Sequence, residues 1–262
     1  MMGEGGWVTI NGTHILLKDG ESVSEGINRK FGGGKKQYSS NGSSGGASKG
    51  GKKSKVSKGI DSSERSRFTD KNTASKAAQD AEKALPESVH TFGNLAQTDP
   101  SVKWYTGDGY TEINDNLRGK SASDRLTKGE TGKAINEHVA QIDRVIDRAP
   151  PLPKDTVLYR GVGISSGQVI ASADIGSVIS DSGYQSHSLD ASQADFFAKE
   201  WGNGEKTIIR AKTNGRQKAI YTNANNKEYE ALLARDQKWK IVGKEDVVTN
   251  GKTTHIVMVE PA

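Results

Sequence analysis

The chain has 262 residues, no cysteine and a formal net charge of +5. This length suits one large domain, or one domain with an extension. The lack of cysteine excludes a disulfide framework, a thiolate zinc site and a cysteine nucleophile. No run of residues approaches the apolar length of a membrane span, and the N-terminus lacks the pattern of a signal peptide. We therefore expect a protein that acts where it is made or is delivered by another machine.

The positive charge is concentrated near the N-terminus. Residues 1–60 contain ten Lys and Arg against four Asp and Glu, whereas residues 61–262 contain 27 against 28. An enzyme that acts on nucleic acid more often carries basic clusters on its globular surface. The charge balance therefore disfavours a nucleic-acid substrate, although loose contact of the lysine-rich segment with nucleic acid or another anionic surface stays open.

The first 60 residues divide into two segments. In residues 1–30, Val8 and Ile10 alternate with polar residues, and Asn11-Gly12 is a strong hairpin turn. Such a hairpin is too small to form a core alone, so we predict a docking or packaging segment. Residues 31–60 are rich in Gly, Ser and Lys, which predicts a flexible linker.

Residues 61–262 have the composition of a globular domain. Apolar spacing predicts helices at 70–85, 110–117 and 132–149, the last ended by prolines 150 and 151. Short strands are predicted afterwards at 157–162, 177–189, 206–212, 218–222, 228–234, 238–242 and 254–259, with one helix at 191–201. Helices followed by strands in one stretch of chain indicate an α+β fold.

Two glutamates, Glu228 and Glu230, begin one of these apolar runs. Because side chains alternate along a strand, both carboxylates are expected on one face and Tyr229 on the other. Two like charges side by side are costly unless a cation, or a developing cation, approaches them. An edge strand with two solvated charges is the alternative, and the pair alone does not exclude it.

Two other predicted strands carry polar side chains suited to a ligand. Arg160 ends the first, where its guanidinium is suited to bidentate contact with a phosphate or carboxylate. In the second, Ser186 and Ser188 share a face and are able to hydrogen-bond a carboxylate or ligand. An Arg-ending strand, a Ser-x-Ser strand and a Glu-x-Glu strand in this order form a more specific pattern than any one of them.

This ordered set resembles the R-S-E class of mono-ADP-ribosyltransferases, which includes clostridial binary-toxin enzyme components and related bacterial exoenzymes. The similarity covers most of residues 85–262. Tyr105 and Tyr110 resemble two tyrosines that cover the cofactor in that family, and Phe197 stands where the family places an aromatic residue against nicotinamide. The resemblance implies an α+β fold in which N-terminal helices precede two small facing sheets around an NAD cleft.

The resemblance also implies NAD as co-substrate, release of nicotinamide and no metal. Breaking the bond between nicotinamide and ribose makes the ribose oxocarbenium-like, so a fixed carboxylate beside it stabilises the transition state. Glu230 is expected to be this carboxylate, oriented by Ser186, while Arg160 holds the pyrophosphate. Ser188 is expected among the cofactor-binding residues, and Glu228 is expected to face the acceptor.

Glu228-x-Glu230, rather than Gln-x-Glu, resembles the arginine-modifying subgroup, so the expected acceptor is an arginine side chain of a host protein. Residues 222–227 lack the aromatic residue that many relatives place at this turn. NAD glycohydrolase activity, with water as acceptor, is therefore the alternative. Gly161, Gly183 and Glu200 stand where some relatives have arginine or asparagine, which predicts fewer contacts to NAD.

His187 replaces the middle residue of the family's Ser-Thr-Ser motif. Strand alternation directs it away from the serines, which argues against a serine–histidine relay. Gly161-x-Gly163 imitates a dinucleotide fingerprint, but the third glycine is misplaced and we predict no amphipathic helix of the right length after it. The five histidines lack metal-ligand spacing.

Delivery to a host cytoplasm would account for the missing signal peptide. Residues 7–12 resemble tails of phage head-associated proteins, which suggests packaging in a virion through residues 1–30. Secretion by a dedicated apparatus accounts for the same observation equally well. A non-enzymatic virion or structural protein with a transferase-like fold is the remaining alternative.

Overall fold

The computed structural model describes residues 7–10, 13–16, 59–119, 130–200, 204–223 and 228–262, and for residues 7–10, 13–16 and 130–132 it describes the backbone. The chain begins with the strands β1 (Trp7–Ile10) and β2 (Thr13–Leu16). Then follow α1 (Ser62–Ser66), α2 (Lys71–Lys83), α3 (Glu87–Ala96), α4 (Pro100–Trp104), a π-helical turn (Tyr105–Gly109), α5 (Tyr110–Leu117) and α6 (Glu130–Arg148).

The second half of the chain consists mostly of strands. These are β3 (Lys154–Gly161), β4 (Val178–Ser180), β5 (Gln185–Ser188), β6 (Lys206–Asn214), β7 (Ala219–Thr222), β8 (Glu230–Leu233), β9 (Trp239–Thr249) and β10 (Lys252–Pro261). Two helices lie between them, α7 (Ile164–Ser172) and α8 (Ala191–Phe197). The predicted α+β class, with helices before strands, is confirmed.

Several elements differ from the sequence predictions. The predicted strand 177–189 is two strands, β4 and β5, separated by a turn. Four helices were not predicted: α1, α3, α4 and α7. Within α3, a Cβ added at Gly93 would lie 1.8 Å from the Tyr221 carbonyl oxygen. This glycine therefore permits close packing of α3 on β7 and does not end the helix.

The helix α7 directly follows Gly163, where no helix was predicted. It does not create a dinucleotide-binding unit, because β3 is antiparallel to both of its neighbours, β6 and β5. A βαβ unit requires parallel strands. The rejection of that fold therefore holds.

The ten strands are hydrogen-bonded in the order β2-β1-β4-β9-β10-β6-β3-β5-β8-β7. All neighbours are antiparallel except β10 and β6, which are parallel. A single residue pair, Tyr159 with Ser188, joins β3 to β5. The two predicted sheets therefore correspond to two groups of strands in this sheet, in the sheet order from β2 to β3 and from β5 to β7. The two groups meet at this pair. Beyond it, Arg160 is paired with β6.

The N-terminal hairpin is part of this sheet. β1 pairs with β2 as predicted, and it also pairs with β4 through Thr9–Ser180 and Ile10–Ile179. Ile60 is buried, and its amide donates to Glu245 Oε2 at 2.8 Å, so it belongs to the folded part and not to the linker. Residues 17–58 lie outside the described residues, and the remaining domain boundaries stay predictions.

Aspartate side chains fix the N-terminal ends of two helices, α8 and α4. Asp190 begins α8, and its Oδ1 accepts a hydrogen bond from the Ser192 amide at 2.7 Å. Asp99 begins α4 in the same way. Among the helices of the described ranges, none has the length and apolar character needed to cross a membrane.

Candidate active site

A cavity of about 890 Å³ opens where β3 and β5 meet. Its walls bring together all eight residues that the sequence predicted for the site: Arg160, Ser186, Ser188, Glu228, Glu230, Tyr105, Tyr110 and Phe197. Arg160 comes from the end of β3, the serines from β5 and the glutamates from the start of β8. These three strands are adjacent in the sheet, which is why residues 70 positions apart in the chain share one cavity.

Glu230 is an acidic residue of this cavity whose surroundings favour its neutral form. Ser186 Oγ donates to Glu230 Oε1 at 2.5 Å, as predicted for a serine that orients the carboxylate. Burial raises the pKa of Glu230 to about 7, the Ser186 hydroxyl counteracts this, and the negative charge of Glu228 adds to it. Near neutral pH the carboxyl group is therefore poised between its two protonation states.

Glu228 reaches the cavity by a different route from the one predicted. The strand β8 begins at Glu230, and Tyr229 has a left-handed backbone with φ of 50°. Strand alternation therefore does not apply to the pair, and the expectation that both carboxylates leave one strand face was wrong. A turn at Tyr229 brings Glu228 to the same cavity, while the Tyr229 side chain is buried in the core.

Hydrogen bonds hold this turn in place. Ser188 Oγ donates to the Glu228 carbonyl at 2.5 Å, and the Leu189 amide donates to the Tyr229 carbonyl at 3.0 Å. A non-glycine residue in a sparsely populated backbone region costs about 1–3 kcal/mol. Ser188 also accepts from the Asp190 amide at 2.9 Å. Its hydroxyl is thus committed to the protein backbone, whereas the sequence predicted a direct contact with the cofactor.

A second wall of the cavity is cationic, because Arg118 and Arg160 line it. Arg160 Nη2 donates to Asp181 Oδ2 at 3.0 Å, and its Nη1 lies 3.5 Å from the Tyr184 carbonyl oxygen. Arg118 donates to the same carboxylate through Nε at 2.8 Å and Nη2 at 2.7 Å. Burial opposes ionisation of Asp181, but the two guanidinium groups hold its pKa below the ordinary value.

Arg118 and Asp181 were not found from the sequence. Arg118 follows the last residue of α5 and precedes Gly119, which is the usual pattern of a basic residue and a glycine at a helix C-terminus. Asp181 stands in a Ser- and Gly-containing turn. Both patterns have ordinary local explanations, so no signal in the sequence distinguished these two residues.

The aromatic residues of the cavity differ in exposure. Tyr110 is 52% exposed, whereas Tyr105 is 2% exposed and accepts a hydrogen bond from Asn114 Nδ2 at 2.9 Å. A π-helical turn separates the two tyrosines, and such turns are frequent at functional sites. Of the two tyrosines predicted to cover a cofactor, Tyr110 therefore presents an open ring and Tyr105 forms part of the wall.

Two phenylalanines extend the open aromatic surface. Phe197, the predicted residue, is 48% exposed and lies edge-to-face with Phe196 at a centroid distance of 5.3 Å. Phe196 is 76% exposed and also lines the cavity. Phe196 was missed because it shares the helix α8 with Phe197 and the resemblance pointed to a single ring.

Close packing explains the glycines that replace larger residues of relatives. A Cβ on Gly161 would lie 2.1 Å from the Ala194 carbonyl oxygen, because α8 packs directly on β3. A side chain at position 161 is therefore sterically excluded. A Cβ on Gly183 would lie 2.7 Å from Asn114 Oδ1 and 3.1 Å from Arg118 Nη2. The space beside Gly183 is thus occupied by polar side chains of α5 and its C-terminus.

The other departures from the family pattern have structural outcomes. Glu200 forms an ion pair with Lys252 at 2.9 Å. His187 is buried, and its Nδ1 lies 3.1 Å from the Gln185 carbonyl oxygen. Burial lowers the pKa of His187 to about 3, so the ring is neutral. Because this contact lies within its own strand, His187 is not oriented to act on a serine, as predicted.

Comparisons with known proteins agree with this geometry. Residues 75–260 match the model of the ADP-ribosyltransferase exoenzyme family. No curated protein matches the chain. Among solved structures, the chain is similar to the ADP-ribosyltransferase Vis in complex with the M6 inhibitor, with 20% identity and a TM-score of 0.54 over 74% of this chain and 86% of that chain.

Two further structures of the same protein are similar. Vis in complex with agmatine has 20% identity and a TM-score of 0.51 over 74% of this chain and 86% of that chain. Vis toxin from Vibrio splendidus has 18% identity and a TM-score of 0.52 over 78% and 87%. These likenesses concern the fold. From the family model, which matches most of the chain, we conclude that the protein belongs to the ADP-ribosyltransferase exoenzyme family.

Proposed function

We propose that this transferase uses NAD and attaches ADP-ribose to an arginine side chain of a host protein, with release of nicotinamide. The observation that carries the proposal is the convergence of Arg160, Ser186, Glu228 and Glu230 on one cavity. The complex of Vis with agmatine adds support, because agmatine carries a guanidinium group like that of arginine.

The charges of the cavity suit the parts of NAD. The pyrophosphate would bind at the cationic wall, where Arg160 and Arg118 lie together on Asp181. A guanidinium suits this role because its planar donors match phosphate oxygens in pairs. The nicotinamide would pack against Phe197, and Tyr110 would cover the nucleotide from the opposite side. This arrangement would bring the nicotinamide ribose to Glu230.

The reaction breaks the bond between the ribose C1′ and the nicotinamide nitrogen. The electron pair leaves with nicotinamide, which becomes neutral, and positive charge develops on the ribose. An ionised Glu230 beside the ribose would stabilise that charge. The transition state, which carries more positive charge on the ribose, would therefore be stabilised more than the ground state. The carboxylate of Glu230 is destabilised by burial in the free protein, so an approaching cation favours its ionised form.

Glu228 would act on the acceptor. A carboxylate at this position would attract the guanidinium of the target arginine, orient it and accept its proton as the new bond to C1′ forms. Water is the competing acceptor, which gives the glycohydrolase alternative. Residues 224–227, which precede Glu228 in the chain, lie outside the described residues.

The test is incubation of the protein with labelled NAD and a bacterial lysate, followed by mass spectrometry of the modified residue, with agmatine as a defined acceptor. We expect label on arginine and on agmatine. Label confined to glutamate, cysteine or nucleic acid would overturn the arginine assignment. Nicotinamide release that is equal and near background in the wild type and in Glu230→Gln would favour the non-enzymatic alternative.

The route of delivery stays a prediction from the sequence. Residues 1–30 are proposed to dock to virion or secretion machinery, and the site of action is proposed to be the host cytoplasm. A fusion of residues 1–30 to a reporter would test this: recovery of the reporter in virions or in the secreted fraction is expected, and its retention in the producing cell would contradict the proposal.

A further inference from the structure

Asp181 is a charged residue that contacts two arginines of the site, and the proposed reaction assigns it no role. We propose that Asp181 is a positioning residue that holds Arg118 and Arg160 in the orientation that receives the pyrophosphate of NAD. This inference rests on the proposed function, and it concerns a residue that touches the two guanidinium groups rather than the reacting atoms.

The first support is the hydrogen-bond geometry. Both oxygens of the Asp181 carboxylate are used: Arg118 binds them as a fork at 2.8 and 2.7 Å, and Arg160 binds Oδ2 at 3.0 Å. The Gly183 amide donates to Oδ1 at 2.9 Å. A fork-like contact fixes the plane of a guanidinium as well as its position.

The second support is the set of donors that remains. A guanidinium has five N–H groups. Asp181 engages two N–H groups of Arg118 and one of Arg160, and a further one of Arg160 points to the Tyr184 carbonyl. Three N–H groups of each guanidinium are left over in these contacts. Since both arginines line the cavity, these groups are available in a fixed orientation for phosphate oxygens.

The third support is the charge balance of the cationic wall. The side chains of Arg118 and Arg160 are 20% and 16% exposed, so their mutual repulsion is weakly screened by water. Asp181 lies between them and offsets this repulsion before any ligand arrives. Without the carboxylate, the two guanidinium groups would separate. A pyrophosphate would then have to order both side chains when it binds, which would weaken its affinity.

The fourth support is the rigidity of the backbone at Asp181. The residue directly follows β4, which pairs with β9 through Ile179 and Trp239. The Asp236 amide donates to the Asp181 carbonyl at 2.9 Å. The carboxylate therefore projects from a backbone that is tied to the sheet, which is what a fixed support for two long side chains requires.

The experiment compares the wild type with Asp181→Asn, a change that keeps the shape of the side chain and removes its charge. Calorimetry measures the Kd of ADP-ribose and of inorganic pyrophosphate, and nicotinamide release measures KM for NAD and kcat. Because the guanidinium groups lose their anchor, we expect Kd for ADP-ribose and pyrophosphate and KM for NAD to rise about tenfold or more. We expect kcat and the inhibition constant of free nicotinamide to change less than about threefold.

Asp143→Asn is the matched control. Asp143 also binds an arginine through two donors, with Arg235 Nε and Nη2 at 3.1 and 3.0 Å from Oδ2, and its Oδ1 accepts a hydrogen bond from Tyr184 Oη at 2.7 Å. The arginine partners of Asp181, Arg118 and Arg160, line the described cavity, whereas Arg235, the partner of Asp143, does not. We expect this variant to lose thermal stability without a change in the Kd of ADP-ribose or pyrophosphate.

Several outcomes would overturn the proposal. A loss of thermal stability in Asp181→Asn with unchanged Kd for ADP-ribose would leave Asp181 a purely structural role. Tighter binding of pyrophosphate would mean that Asp181 competes with phosphate. An equal loss of affinity for free nicotinamide would indicate a general distortion of the cavity.

A second variant covers the case in which Asp181→Asn does not fold. Arg118→Lys keeps the positive charge but loses the two-donor contact with Asp181, and it is expected to raise the Kd of ADP-ribose and of pyrophosphate about tenfold. Unchanged constants would contradict the proposal. If the wild type does not turn over NAD but Asp181→Asn still binds pyrophosphate about tenfold more weakly than the wild type, the proposed function fails while positioning by Asp181 is supported.

Discussion

The two walls of the cavity treat buried charge in opposite ways. On the cationic wall, the charges of Arg118, Arg160 and Asp181 are matched through direct hydrogen bonds. On the acidic wall, Glu230 receives a hydrogen bond from the neutral hydroxyl of Ser186, and Glu228 adds a second negative charge. Accordingly, the pKa of Asp181 is lowered, whereas the pKa of Glu230 is raised to about 7.

This difference separates the binding of NAD from the chemistry performed on it. A wall whose charges are already paired can be ordered before the ligand arrives, which reduces the cost of binding. A wall with an unmatched carboxylate is costly in the free protein and is relieved when positive charge develops next to it. The predictions below test whether the two walls are independent in this way.

Glu230→Gln is expected to have the largest effect. The substitution removes the charge that stabilises the developing cation, so nicotinamide release should fall by about 10²–10³-fold, as for other preorganised electrostatic groups. The Kd of ADP-ribose, set by the cationic wall, should change little. Steady-state kinetics and calorimetry provide the two measurements. A rate within threefold of the wild type would show that Glu230 does not carry the reaction.

Glu228→Gln is expected to separate the two acceptors. Because Glu228 is proposed to bind and deprotonate the guanidinium, transfer to agmatine should fall about 100-fold, in the range for general-base catalysis. Release of nicotinamide to water should stay close to the wild-type rate. Both activities are measured in one assay that quantifies nicotinamide and ADP-ribosyl-agmatine. Equal losses in the two would place Glu228 with Glu230 at the ribose.

The rate of nicotinamide release should depend on pH through Glu230. The ionised form is the active one, and a pKa of about 7 predicts that kcat/KM rises about tenfold between pH 6 and pH 8. The Ser186→Ala variant loses the hydrogen bond that lowers this pKa, so its profile should shift to higher pH. A flat profile in the wild type would contradict the assignment.

Arg160→Lys is expected to act on binding. Lysine keeps the charge but cannot bind a phosphate through two parallel donors, so KM for NAD should rise about tenfold while kcat changes less. Initial rates over a range of NAD concentrations separate the two constants. A loss confined to kcat would join the two walls functionally and remove the proposed division.

The smallest expected effect is on stability. The folded-state pKa of Glu230 is about 7, above its ordinary value of 4.5, so the protonated form is favoured by folding. The stability that this provides is present at low pH and is lost as the pH rises from 4.5 through 7. Glu230→Gln should therefore unfold at a higher temperature than the wild type at pH 8, by several degrees, with little difference at pH 4. Equal unfolding temperatures at pH 8 would indicate that the carboxylate is solvated.

Local patterns in the sequence were sufficient to find the core of the site. Arg160, Ser186 and Glu230 each lie in a short strand, where the alternation of side chains is a local property. The helix α5 also has the predicted bounds, because its apolar residues repeat at helical spacing. Where the pattern was interrupted, as at Tyr229, the prediction for the neighbouring Glu228 reached the right cavity for the wrong reason.

Local patterns by themselves therefore determined the α+β class, the order of the three strands and the residues that each strand presents. The tertiary structure decided which other groups join them. Arg118 and Asp181 are 63 residues apart and meet through hydrogen bonds between α5 and the turn after β4. Such partners carry no periodic signal, since a contact between distant residues depends on how the whole sheet and its helices pack, and not on the spacing of residues along the chain.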